Sequence, residues 1–298
     1  MACYRPLSAW RTAQGEVVFV ERGDIVATLS IACGRCVGCQ IELARQWTVR
    51  VMHEASLHDE NCFVTLTYNE ENCPSDMSLQ YHHFQRFMRN LRKHIAPKGV
   101  RFYMCGEYGD DFSRPHYHAI LFGVNFSGDR YEFKSTGSKE IVYRSPFLES
   151  LWTYGNSSIG DCNDRTANYV ARYTLKKIYG DAADTHYRTI DRDTGEVTYR
   201  VPEFTHMSLK PGIGAHWFAK FHSDCYPHDR VIVKGVKNKP PRYYDKLFKK
   251  MDAEELEFIK ESRGREARIR FPDNTPERLI VRETVAKAKL SFLRRKLK

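Results

Sequence analysis

The chain has 298 residues, 42% of them hydrophobic and 13% aromatic, which is enough for a sizeable core and excludes a wholly disordered protein. Forty-seven basic residues against 37 acidic ones leave a net charge of +10 and a pI near 9.1, a balance that favours a polyanionic partner, nucleic acid first. No apolar run approaches the ~20 residues of a membrane helix. The opening Met1-Ala2-Cys3-Tyr4-Arg5-Pro6 also lacks the apolar stretch of a signal peptide, so a reducing cytosol is expected.

Residues 1–40 read as a separate opening. Glu16–Val20 and Asp24–Leu29 are expected as short strands about a turn at Arg22-Gly23. Cys33, Cys36 and Cys39 follow in a CxxCxxC triplet, with a helix expected from Gln40 to about His58. Three thiols in one tight turn, with Cys3 returning as a fourth, would complete a tetrahedral zinc site; free thiols in a turn are the alternative.

Cys62–Tyr68 is a strand rich in β-branched and aromatic residues. From Leu79 to Ile95 apolar residues recur at helical spacing, while Arg86, Arg89, Arg92 and Lys93 occupy the other face, either solvated or near phosphates. Arg101–Tyr108 and His116–Gly123 are expected as strands, separated by an irregular stretch from a short helix at Ser145–Trp152. Ser157–Gly160 reads as a further strand, and a helix capped by Asp164 or Thr166 is expected to run through Lys177. Residues 180–200 read as a polar hairpin, His216–Tyr226 as a helix and Val231–Val233 as a last strand. From about Asp245 the chain becomes a charged helical tail with a basic end. The domain reading is thus 1–40, 41–245 and 246–298.

Three features carry chemistry. In a strand, His116 and His118 point to one side, where two imidazoles can chelate one metal ion. Glu107, nine residues before His116, lies on the neighbouring predicted strand. Tyr169 and Tyr173 are four apart on a predicted helix and share a face, with Lys176 again on that side. A tyrosine hydroxyl, with an ordinary pKa near ~10, is a poor nucleophile until its electrophile is polarised. A core-facing tyrosine pair is the other reading of that helix.

The ordered set Phe63–Tyr68, Pro115–Leu121 and Tyr169–Lys176 resembles the HUH endonuclease superfamily. It is closest to the replication initiators of microviruses of the gokushovirus type. The cysteine cluster, Pro211-Gly212-Ile213-Gly214 and Pro241-Arg242-Tyr243-Tyr244 are similar to the same group, so the resemblance spans residues 1 to about 245. It implies an α+β fold of the HUH/RRM-like kind, an antiparallel sheet with helices mainly on one face. His116, His118 and Glu107 would hold Mg²⁺ or Mn²⁺. Tyr173 and Tyr169 would be nucleophiles, and Lys176 would stand near the scissile phosphate. The implied activity is rolling-circle nicking and rejoining of viral origin DNA in the host bacterial cytoplasm, with a host polymerase and helicase. Arg86, Arg89, Lys93, Arg172, Lys177 and Arg242 are candidates for phosphate contacts. A non-catalytic single-stranded nucleic-acid-binding protein and a metal-dependent nuclease using water compete with that reading.

Overall fold

The structure is a computed structural model that describes residues 3–97, 99–109, 113–135, 140–173, 177–178, 180–190 and 194–293. The chain divides into two compact units, one of residues 1–44 with 248–298 and the other of residues 45–247. In the first, strands β1 (Leu7–Thr12), β2 (Val17–Val18) and β3 (Ile25–Ile31) form an antiparallel sheet of order β2-β1-β3. Helix α1 (Val37–Ala55) begins in this unit and ends in the next.

The second unit is built on β4 (Asn61–Tyr68), α2 (Tyr81–Ile95), β5 (Arg101–Tyr108), β6 (Pro115–Phe122), β7 (Tyr131–Ser135), β8 (Ile141–Arg144), α3 (Pro146–Leu151), β9 (Gly155–Asp161) and α4 (Asp164–Arg172). It continues through α5 (Asp181–Tyr187), β10 (Arg188–Ile190), β11 (Val197–Tyr199), β12 (Phe204–Met207), α6 (Ala215–Cys225), β13 (Val231–Val233), β14 (Val236–Asn238) and α7 (Arg242–Phe248). The first unit then resumes with α8 (Ala253–Ile269) and α9 (Pro276–Leu293). There Arg5 Nε donates to the buried Glu283 carboxylate of α9 at 2.9 Å, which ties the N-terminal segment to the last helix.

The fold is α+β, as the sequence and the resemblance led us to expect. Its centre is an antiparallel sheet of order β12-β5-β6-β4-β9-β8-β7. Val64, Leu66, Tyr117, Ala119 and Ile159 point to one face, where Phe84, Phe87, Met88 and Leu91 of α2 close the core. Those four helix positions follow the 3, 4, 7 spacing of one helical stripe, and burying each side chain stabilises the fold by roughly 1.5–3 kcal/mol. On the opposite face, Trp47 of α1 stacks on Tyr103 of β5 at 4.7 Å, and α4 lies over β5 and β6. Strands β5 and β6 are therefore buried on both sides, whereas β4 alternates buried and half-buried along its length.

The Pro211–Gly214 connector is held by a buried acid of α1. Glu54 accepts from Arg101 Nε at 2.5 Å and from the Gly214 amide at 2.7 Å, while Arg50 Nε donates to the Ile213 carbonyl at 3.0 Å. Gly214 has φ +80°, and a Cβ there would stand 2.7 Å from the Tyr244 hydroxyl, so both conformation and space demand glycine.

Several elements differ from the sequence expectation. Leu7–Thr12 is a strand, and the stretch read as irregular contains the β7–β8 hairpin. The 180–200 excursion opens with the short helix α5 before its hairpin, and α4 ends at Arg172, short of Lys177.

Candidate active site

Two strands and one helix assemble the site. In the β5–β6 ladder Glu107 is paired with His116 and Cys105 with His118, which puts Glu107 and both histidines on the face covered by α4. The imidazoles lie parallel, 6.3 Å apart with 6° between their planes.

His118 is the better buried, at 5% exposure, and its Nε2–H donates to Glu107 Oε1 at 3.0 Å; Glu107 itself is 4% exposed. Its Nδ1 lies 3.0 Å from Thr65 Oγ1 on β4, the residue directly opposite it in the β4–β6 register. His116 is fixed differently. Its Nδ1–H donates to the Arg114 carbonyl at 2.6 Å, which leaves Nε2 as the nitrogen with a lone pair. Burial lowers the affinity of that ring for a proton, and the neighbouring His118 adds to the effect. A metal ion needs the neutral ring. Gly109 makes room for it, since a Cβ there would meet His116 Cε1 at 2.9 Å.

Helix α4 starts two residues after β9 because Asn163 caps it. The Asn163 side chain accepts from the Arg165 and Thr166 amides, and Thr166 Oγ1 accepts in return from the Asn163 amide at 2.9 Å. The sequence reading had placed the cap at Asp164 or Thr166. Buried Ala167, Val170 and Ala171 let the helix sit close on the sheet.

Tyr169 and Tyr173 then flank His118. The Tyr169 ring meets the imidazole edge-on at 5.2 Å, and the Tyr173 ring stacks on it at 5.3 Å. The Tyr173 hydroxyl donates to that of Tyr169. Phe63 of β4 closes the cluster, stacked on His118 at 5.7 Å and edge-on to Tyr169 at 6.0 Å. Burial pushes the Tyr173 phenol far above its ordinary pKa, and the Glu107 carboxylate and Tyr169 push the same way. Without a cation beside it this hydroxyl holds its proton.

Nitrogen and carboxylate donors with room for further ligands suit a hard divalent ion bound to phosphate oxygens. His118 Nε2, Glu107 Oε1 and His116 Nε2 fit that donor set. Among the described residues, however, the group of three or more ligand-type side chains already gathered within 4.8 Å is a different one, Cys3, Cys33, Cys36 and Cys39. Their sulfurs stand 3.7 Å (Cys3–Cys33), 3.8 Å (Cys3–Cys36) and 4.0 Å (Cys33–Cys39) apart. A tetrahedron built on Zn–S bonds of about 2.3 Å has edges of about 3.8 Å. Amide N–H groups of Tyr4, Cys33 and Cys36 donate to these sulfurs at 3.2–3.3 Å. The Cys36 thiol, despite burial, is pulled down to about 6 by the Tyr4 and Cys39 amides and the Cys39 and Cys33 thiols. This cluster can hold a metal such as zinc.

The remaining expected residues scatter. Lys176 lies outside the described residues, as does the basic C-terminal end, while Arg172 ends α4 and Lys177 lies just beyond, both half-buried. Arg86, Arg89 and Lys93 are exposed on α2, which packs on the sheet face opposite the histidines, so the fold does not bring them to the site. Arg242 is exposed at the start of α7. Sequence reasoning missed Thr65, Phe63 and Gly109 as members of the site. The alternation Phe63, Thr65, Thr67 along β4 was the signal for the first two.

A family model for the replication-associated protein ORF2 matches residues 61–178, the segment that holds both histidines and both tyrosines. The chain is 31% identical to replication-associated protein VP4 of Bdellovibrio phage phiMH2K, over 84% of this chain and 78% of the relative. It is 30% identical to replication-associated protein ORF2 of Spiroplasma virus 4, over 90% of this chain and 87% of the relative. Replication-associated protein ORF4 of Chlamydia phage 1 is 28% identical, over 76% of this chain and 56% of that protein. No solved structure matches the chain. With most of its length aligned to the first two relatives, the chain belongs to the family of phage replication-associated proteins, as a microvirus-like replication initiator.

Proposed function

We propose that the protein nicks and rejoins single-stranded DNA at a viral origin, using Tyr173 and Tyr169 as nucleophiles and His116, His118 and Glu107 to hold Mg²⁺ or Mn²⁺. The observation that carries the reading is the stacking of both tyrosine rings on His118, which puts two hydroxyls beside one candidate metal ligand. The cation supplies charge that polarises a phosphate oxygen.

The chain's own residues do the rest. Thr65 and Glu107 orient His118 from its two nitrogens, and the Arg114 carbonyl orients His116. One tyrosine oxygen bonds to phosphorus as the bond to the 3′-oxygen breaks. The phenolic proton leaves, the released 3′-oxygen gains one, and the 5′ end stays on the protein as a phosphotyrosyl ester. The ester keeps the bond energy, so a later 3′-hydroxyl can reverse the step and close a circle. The second hydroxyl, hydrogen-bonded to the first, is placed to open the regenerated origin.

The free 3′ end suits a host polymerase, and unwinding falls to a helicase of the host bacterial cytoplasm. The thiol cluster holds structural Zn²⁺ in this reading, because soft sulfur donors separate that ion from the hard catalytic one.

Labelled single-stranded origin oligonucleotides incubated with the protein and Mn²⁺ are resolved on a denaturing gel. A slow, protein-linked band is expected. Cleavage without that band would favour a water-activating nuclease, and neither product would favour a non-catalytic binding protein.

A further inference from the structure

The register of the sheet places a line of residues beside the candidate active site that runs to the far edge. His118 is paired with Thr65, and Thr65 with Ser158 of β9. The Tyr143–Ile159 pair carries the register onward, so Arg144 falls beside Ser158, and Arg144 is itself paired with Tyr131 of β7. All of these alternate away from buried Val64 and Ile159, so they share the histidine face. Four strand spacings of about 4.8 Å make the line roughly 19 Å long.

Its character changes along the way. The middle is small and polar. Thr65, Thr67 and Ser158 are half-buried and Asn156 is exposed, in contrast to the doubly covered β5 and β6. The far end is aromatic and basic. Every residue of β7 is exposed, with Tyr131 at 49% and Phe133 at 51%. A break in the ladder between Glu132 and Lys134 leaves Phe133 out of the pairing. The Arg144 guanidinium lies 5.2 Å from the Phe133 ring centre and Lys134 Nζ lies 5.9 Å from it. Glu149 accepts from Arg144 Nε at 2.6 Å, which engages one of the five donors of that group.

We infer that this strip is a track for single-stranded DNA, with bases stacking on Tyr131 and Phe133 and the backbone crossing β8, β9 and β4 toward His118. Half-exposed rings on a rigid strand give stacking platforms, the adjoining cations attract phosphates, and short side chains let a sugar-phosphate chain approach the sheet. The inference takes from the proposed function only that the substrate is single-stranded DNA.

The test measures binding alone. Fluorescence anisotropy of a labelled oligodeoxythymidylate is followed with EDTA present, so neither metal nor cleavage enters. The double variant Tyr131→Ala/Phe133→Ala is expected to bind at least about fivefold more weakly, with Tyr131→Trp/Phe133→Trp within about twofold of the native protein. Lys134→Gln should reduce the salt slope of log K by about 0.7. Photo-cross-linking of the native protein to 5-iodouracil-substituted DNA should label the Tyr131–Lys134 segment, a result independent of how the variants fold. Alanine variants that bind as tightly as the native protein, or cross-links confined to other segments, would overturn the track. A native dimer that the double variant converts to monomers with unchanged affinity would also overturn it, by making β7 a self-pairing edge. Failure of the phosphotyrosyl reading would show elsewhere, as a missing covalent band in Mn²⁺ with this binding intact.

Discussion

Glu107 stands directly across the β5–β6 ladder from His116, yet its carboxylate accepts from His118 at 3.0 Å. Diagonal reach between strands is ordinary for a long side chain. Here it leaves one acid between two imidazoles, able to neutralise a cation held by both. Glu107→Gln removes that charge while keeping the shape. Isothermal titration with Mn²⁺ should show affinity weakened by at least about tenfold, the lower end of the effect of lost outer-sphere partners. Unchanged affinity would remove Glu107 from the ligand set.

Thr65 offers a finer test of the same ring. With Nε2–H given to Glu107, Nδ1 of a neutral imidazole accepts from the Thr65 hydroxyl. Once Nε2 turns to a metal ion, the proton sits on Nδ1 and the hydroxyl must accept. A hydroxyl can do both. Thr65→Val should therefore weaken Mn²⁺ binding by about 10–100-fold, with Thr65→Ser restoring it. The nitrogen shifts of His118, read by NMR on addition of a diamagnetic ion, should show the tautomer change in the serine variant.

Much of this site was legible from alternation alone. The β4 and β6 patterns locate both histidines and their shared face, and the four-residue spacing joins the tyrosines. The hairpin of β7 and β8 was not legible, because Tyr131–Ser135 is exposed on both sides and its ladder breaks at Phe133, so no burial pattern marks it. Nor was the end of α4, since nothing in Tyr169–Lys177 breaks a helical pattern. The capping box at Asn163 was in the sequence as Asn-x-x-Thr but is weaker than the usual acidic form.

His53 sets a pH dependence of stability. It is buried on α1, stacked on Trp217 at 3.5 Å, with Nδ1 2.9 Å from the Tyr244 hydroxyl and Nε2 without a hydrogen-bond partner among the described residues. Burial lowers its pKa from 6.5 to about 4. The unfolded chain therefore takes up this proton first as the pH falls. The contribution is present above pH 6.5, is lost as the pH falls toward 4, and loses nothing further below that. Denaturant titrations should show up to about 3 kcal/mol of this loss, and His53→Gln should flatten the profile across that window.

The thiol cluster predicts a bound metal in the protein as purified. Elemental analysis should find one zinc per chain, and Cys36→Ser should remove it and lower the melting temperature. Mn²⁺ should not restore either property, since it prefers oxygen and nitrogen donors. Full stability with no zinc would make these four ordinary thiols.

The central claim is a covalent bond between DNA and one of two tyrosines, and mass spectrometry of the digested protein–DNA adduct reads it directly. The account predicts a nucleotide-modified peptide carrying Tyr173 or Tyr169, a shift of the label to the other tyrosine when one is changed to Phe, and no adduct from the double Phe variant. Origin DNA cleaved in Mn²⁺ with neither tyrosine modified, or an adduct that survives both substitutions, would contradict it.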